Sequence, residues 1–159
     1  MFWKALALLA AGMAPAVGAE EFDTHVDMLS RDAATFYVQG AIGGLGAVDL
    51  MVDTGSGYMT INEEMLSELK RQGGVRYLSQ VRGRLANGDE LSVPLYSISR
   101  VNIGGNCWLR DVEAAVFPGG TRAILGLSAL KQASPFIFSM DPPRLVLSHC
   151  AGRAEIAES

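Results

Sequence analysis

A chain of 159 residues, 49% of them hydrophobic, suits one compact domain with an ordinary buried core, and two domains of typical size would not fit. Thirteen Lys+Arg against 17 Asp+Glu, a formal charge of −4 and no basic run argue against a nucleic-acid partner or a polybasic membrane-surface role, because both depend on clustered positive charge. Eighteen glycines and six prolines set among short apolar runs point to many turns and few long helices, hence to an all-β or mainly β domain.

Residues 1–19 read as an export signal peptide. Lys4 supplies a positive n-region, residues 5–11 an apolar stretch, Gly12 and Pro15 a break, and Val17-Gly18-Ala19 small residues ahead of a cut before Glu20. The apolar stretch is too short to span a bilayer, and no cysteine lies near the cut to carry a lipid. The mature protein is therefore expected to be exported, periplasmic or secreted, without stable membrane insertion; a retained signal anchor is the alternative. Residues 20–34 carry mixed charge and weak periodicity and read as an N-terminal arm, extended or at a sheet edge.

From Thr35 the β signals sharpen. Thr35–Ile42 (TFYVQGAI) and Ala47–Val52 (AVDLMV) flank Gly43-Gly44-Leu45-Gly46 and predict a hairpin. The second run enters Asp53-Thr54-Gly55-Ser56-Gly57 directly. Residues 58–61 predict a short strand. Asn62 reads as the N-cap of a helix through Lys70, with Glu63 and Glu64 in its first turn, Lys70-Arg71 at its end and Gly73-Gly74 closing it. Strands at 77–85 and 90–101 flank Ala86-Asn87-Gly88-Asp89, where Asn-Gly is the strongest short-range hairpin signal. Arg82, Arg84, Asp89 and Glu90 mark much of this hairpin as solvent-facing. Residues 102–106 predict a turn, and Cys107–Phe117 a β run ending at Pro118-Gly119-Gly120. A short apolar strand follows at 123–126, then a short helix at 127–132 and a last hairpin of 136–139 with 144–147 across Asp141-Pro142-Pro143.

Cys107 and Cys150 are the two cysteines, and export places them where disulfides persist. One intramolecular bridge, tying an internal strand to the C-terminal end of the domain, is expected; free thiols or an intermolecular bridge stay open, since sequence alone does not settle the geometry. With His25 and His149 they form no CxxC or HxxxH spacing, so no metal site is expected, and both histidines are expected at the surface.

The chemistry concentrates at Asp53-Thr54-Gly55. A carboxylate at the end of an apolar strand is costly unless it is hydrogen-bonded or paired. A structural turn is one explanation, since these residue types are ordinary where a strand ends. The functional reading is raised by the apolar strand before the motif, Ser56 after it, an Asn-Gly hairpin about thirty residues on, and Ile124-Leu125-Gly126 beyond that. In this order of elements, residues 35–147 resemble a retropepsin-like aspartic protease of the small exported type found in bacteria.

The resemblance implies a closed acid-protease β-barrel over residues 35–150 with one or two short helices, an arm at 20–34 and a C-terminal tail at 151–159. It implies Asp53 as the catalytic residue, with Thr54, Gly55 and Ser56 supporting its loop. It also implies a flap over the substrate formed by Leu85, Ala86, Asn87, Gly88 and Asp89, with Ile124, Leu125 and Gly126 packed behind the loop. It implies no cofactor. Many relatives have Ala after the Asp-Thr-Gly, whereas this chain resembles pepsin-like enzymes in having Ser there, Ser56, and its hydroxyl is expected to donate to the Asp53 carboxylate.

Hydrolysing an amide at an aspartate pair needs one carboxylate to take a proton from water and a second, protonated, to donate to the carbonyl oxygen. A single Asp-Thr-Gly supplies half of such a pair. A two-fold homodimer is therefore expected to bring a second Asp53, with Thr54 bracing the two loops across the axis as in the family. Were the second group intrachain, Asp49, Asp89 and Asp111 would be the candidates. The expected function is that of an aspartic endopeptidase acting on protein or peptide substrates. The alternatives are a non-catalytic exported β-barrel that binds peptides by strand addition, and an envelope protein in which Asp53 caps a turn.

Overall fold

In the computed structural model, which describes residues 22–32, 34–84 and 87–152, the chain folds mainly into strands. The expected signal peptide, Leu85 and Ala86 of the expected flap, and the tail from residue 153 lie outside the described residues. The elements are β1 (Thr24–Asp27), β2 (Leu29–Arg31), β3 (Thr35–Ile42), β4 (Ala47–Val52), β5 (Met59–Asn62), α1 (Glu63–Gln72), β6 (Val75–Arg84) and β7 (Glu90–Ile103). They continue with β8 (Cys107–Phe117), β9 (Ile124–Leu125), α2 (Leu127–Leu130) running into a 3-10 turn (Lys131–Ala133), β10 (Phe136–Met140) and β11 (Pro143–Leu147). The expected all-β class, with two short helices, is the class found.

The larger sheet runs β2-β3-β4-β9-β5-β8-β7-β6. A further pairing of β3 with β7, Gly40↔Ile103 to Ile42↔Val101, carries the ladder back to β3. That approach requires glycine at position 40, because a Cβ there would stand 2.3 Å from the carbonyl oxygen of Asn102. Two pairings are parallel and join distant segments, Met51↔Ile124 between β4 and β9 and Met59↔Ala114 between β5 and β8. The smaller sheet runs β1-β11-β10. The segment read as an arm is thus extended and lies at sheet edges, and its Val26 and Met28 are buried in the core.

Helix α1 follows from its caps. Asn62 Oδ1 accepts from the Met65 N–H at 2.9 Å, acidic Glu63 and Glu64 face the positive end of the helix dipole, and Gly73 closes it at φ 74°. Its apolar side sends Leu66 and Leu69 into the main core, which also holds Val38, Ile61 and Ile98. Each such fully buried aliphatic side chain contributes about 1.5–3 kcal/mol. An exposed ion pair contributes about 0–1 kcal/mol, and all four found among the described residues are of that kind. The core therefore holds the fold. A separate small cluster of Val93, Leu95 and Ala115, with Tyr58 and Phe117 against it, sits at the base of the β6–β7 hairpin.

Cys107, at the start of β8, is bonded to Cys150, with Cα atoms 4.7 Å apart and a sequence separation of 43. The neighbouring Trp108 N–H donates to the Ala151 carbonyl at 3.1 Å, so the chain beyond β11 is fastened to the larger sheet twice. Both histidines are exposed. Reduction is expected to lower stability by about 3–4 kcal/mol in the chain-entropy model. Urea unfolding with and without reductant checks this, and coincident midpoints would refute it.

Candidate active site

At the end of β4 the chain turns through Asp53-Thr54-Gly55-Ser56-Gly57 before entering β5. The Asp53 N–H donates to the Leu125 carbonyl at 3.2 Å, and the Ser56 N–H to the Asp53 carbonyl at 3.3 Å, so the turn is tied both to β9 and to itself. The partly buried Asp53 carboxylate accepts from the Gly55 N–H at 2.9 Å through Oδ1. Glycine suits position 55, since a Cβ there would approach that same oxygen to 3.2 Å. Thr54, between them, is exposed.

The expected Ser56-to-carboxylate hydrogen bond is absent. The Ser56 hydroxyl donates instead to the Tyr58 carbonyl at 2.9 Å. The turn carries Ser56 past the carboxylate, and the nearby main-chain N–H of Gly55 takes the donor position. Ser56 therefore braces the loop and does not hold the charge.

Ile124, Leu125 and Gly126 lie against this loop. β9 lies between β4 and β5, parallel to the first and antiparallel to the second. Gly126 meets the loop main chain so closely that a Cβ would lie 2.1 Å from the Tyr58 oxygen and 2.9 Å from the Ser56 oxygen. The helix that follows uses the same loop: the Leu127 N–H donates to Ser56 O at 2.8 Å and the Ser128 N–H to Gly57 O at 3.0 Å. First-turn N–H groups have no partner within their own helix, so these bonds satisfy both sides. Ser128, unmarked in the sequence reading, accepts from the Met59 N–H at 2.7 Å and donates to the Glu113 carbonyl at 2.6 Å, joining β5 to β8.

Asp53 lines an open cavity of about 740 Å³ together with Ser56, Thr60, Arg84, Phe117 and Arg122. A second cavity of about 240 Å³ adjoins it under the β6–β7 hairpin and is bordered by Val81 and Arg82. The hairpin reaches the cleft because Gly83 packs on the Phe117 ring, where a Cβ would come within 2.6 Å of Cζ. Its tip is built on itself: Asn87 Nδ2 donates to Asp89 Oδ2 at 2.7 Å, the Asp89 N–H returns to Asn87 Oδ1 at 3.1 Å, and Gly88 takes φ 91°. Asn87, Gly88 and Asp89 do not line the cavity; Arg84, at the end of β6, does. A groove of about 830 Å³ beside β1 is somewhat larger but contains no comparably oriented carboxylate, since its Asp27 is paired with Arg144.

Among the described residues lining the cleft, Asp53 is the only carboxylate. Asp49 is paired with Arg31 at 2.5 Å, Asp111 accepts from the Ser97 hydroxyl at 3.4 Å, and Asp89 lies in the hairpin tip. Arg122 also escaped the sequence reading. The signal available was its charge inside the short segment that leads into the apolar Ile124-Leu125 strand.

A family model described as "gag-polyprotein putative aspartyl protease" matches residues 38–132. The crystal structure of a retropepsin-like aspartic protease from Rickettsia conorii is similar at TM-score 0.59 and 20% identity, covering 80% of this chain and 92% of that one. The retroviral protease-like domain of Ddi1 from Leishmania major is similar at TM-score 0.50 and 18% identity, covering 69% and 84% respectively. At such identities these two structures show the fold. A comparison with curated proteins finds no match.

Because its neighbours at Gly126 are main-chain atoms that cannot rotate away, Gly126→Ala is expected to cost about 3 kcal/mol. It should also displace the Asp53 loop. Denaturant unfolding measures the first effect, and amide exchange at Gly55 and Asp53 the second. Wild-type values in both would show that the contact is dispensable.

Proposed function

The chain belongs to the retropepsin-like aspartic protease family, and on that premise we propose that it is an aspartic endopeptidase working as a homodimer. The carrying observation is a cleft whose one described carboxylate, Asp53, is oriented by the Gly55 N–H. One carboxylate cannot both accept a proton from water and present a proton to the carbonyl oxygen. A second copy related by a two-fold axis supplies the same group from the same loop. The exposed Thr54 then stands where the loops of the two copies meet. An edge strand also favours association: β10 is outermost in the smaller sheet and exposes Ile137 (46%) and Met140 (66%).

In the proposed reaction, water adds to the scissile carbonyl carbon as the ionised Asp53 takes its proton. The protonated Asp53 of the second copy gives its proton to the carbonyl oxygen. The tetrahedral diol then breaks its C–N bond, with a proton passing to the leaving nitrogen, and a carboxylic acid and an amine are released. The β6–β7 hairpin, including Asn87, Gly88 and Asp89, would cover the bound peptide. Residues 1–19 support export, so a mature N-terminus at Glu20 is proposed as well.

Asp53→Asn is nearly isosteric but cannot carry the proton, so cleavage of denatured protein is expected to fall by about 10²–10⁴-fold or more. Circular dichroism should be unchanged. Near-wild-type turnover by that variant would end the peptidase reading. Specific activity should also fall on dilution through the dimer dissociation range seen in sedimentation. Excess Asp53→Asn subunits, allowed to exchange, should inhibit the wild type. Activity constant across that dilution range would place the second group within one chain.

A further inference from the structure

We propose that the cleft selects peptides with an Asp or Glu side chain close to the cleaved bond, and that Arg122 is the residue that captures that carboxylate; the proposal rests on the peptidase reading above. The chain as a whole carries a net charge of −4. The two adjoining cavities at Asp53 reverse that sign, because their charged lining is Arg82, Arg84 and Arg122 against Asp53 alone. A cleft lined by one sign of charge concentrates ligands of the other.

The three cations are not equivalent. Arg84 is bound to Glu90 at 2.7 Å, with both side chains largely exposed, so much of its charge is already answered. Arg122 is held without being neutralised. Its Nη1 donates to the Tyr37 hydroxyl at 2.8 Å and lies 3.9 Å from the Met51 sulfur, and no carboxylate among the described residues pairs with it. Tyr37 is itself fixed, buried in β3 with the Arg31 guanidinium 4.9 Å above its ring, and Arg31 spends its charge on Asp49. A guanidinium has five N–H donors in a planar fork suited to a carboxylate. The neutral anchors at Nη1 position the fork and leave donors for a ligand.

The position matches a side chain next to the reacting bond. Met51 and Asp53 are two residues apart at the end of β4, which places their side chains on one face about 7 Å apart. Arg122 reaches the Met51 sulfur from the segment just before β9, the strand that pairs with β4. An acidic substrate side chain there would otherwise face the Asp53 carboxylates and be repelled, so its acceptance needs a cation at this place.

The test digests a proteome-derived peptide mixture with the wild type, Arg122→Leu and Arg122→Glu, and maps the cleaved bonds by mass spectrometry. Asp and Glu should be enriched within two residues of the bond for the wild type. The enrichment should vanish in Arg122→Leu and turn toward Lys and Arg in Arg122→Glu. For matched Glu and Gln peptides, kcat/KM should differ about tenfold in the wild type and be equal in Arg122→Leu. Raised salt should narrow the wild-type difference. A purely apolar profile, or one that Arg122→Leu leaves unchanged, overturns the proposal. So does a variant that alters dimer dissociation alone, which would assign Arg122 to the interface. A binding measurement separates this proposal from the one it rests on. Fluorescein-labelled decapeptide pools, randomised except for one central Glu or Gln, are titrated against Asp53→Asn protein by anisotropy. About tenfold tighter binding of the Glu pool, with no cleavage by the wild type, would remove the peptidase reading and keep the anion subsite; equal binding of the two pools, with no cleavage, removes both.

Discussion

A contact with no side chain in it organises the site. Gly126 presses directly on the carbonyls of Ser56 and Tyr58, and three other features depend on that closeness. It lets the Leu127 and Ser128 N–H groups reach the loop carbonyls, it brings Leu125 O to the Asp53 N–H, and it sets the Ser128 hydroxyl between β5 and β8. A strand of two residues, such as β9, has little stability of its own; here it is held from both sides by β4 and β5. The orientation of the Asp53 carboxylate is thus inherited from main-chain packing, which is stiffer than any arrangement of rotatable side chains.

The β6–β7 hairpin, whose Arg84 borders the cleft, follows the opposite design. Its base is apolar, with Val93, Leu95 and Ala115 under Tyr58 and Phe117, while its tip makes polar contacts to itself. Base and tip are therefore secured by different forces. Few buried apolar contacts and mostly exposed hydrogen bonds are the marks of a segment that opens at low free energy while the rest stays folded.

Local signals were legible in the sequence wherever a few adjacent residues decide the outcome. Asn62 with Glu63 and Glu64 marked the start of α1, Gly73 its end, and the runs before and after Gly43 and Asn87 marked their hairpins. The helix runs two residues past Lys70, to Gln72, because Gly73 and not the basic pair stops it. What escaped was set by partners far away in the chain. The parallel β4–β9 and β5–β8 pairings and the return of β7 to β3 join segments that share no local pattern. Ser56 shows the same limit within the motif: its residue type was correctly noted, but the direction of its hydroxyl depends on where Tyr58 turns. Arg122 could not be placed in the cleft until Met51 and Tyr37 were known to lie beside it.

The position of β1 dictates the order in which this chain can finish folding. Thr24 pairs with Leu147 and Asp27 with Arg144, so the first described strand waits for the last one. Closing a loop over such a separation costs more chain entropy than forming a local hairpin, so contacts of this kind form slowly. Strand β2 can pair at once with the adjacent β3, but β1 reaches its place, and Val26 its cover, only when β11 is available. Cys150, just beyond β11, is bonded back to Cys107 at the start of β8, so the covalent tie sits beside the strand that both chain ends share.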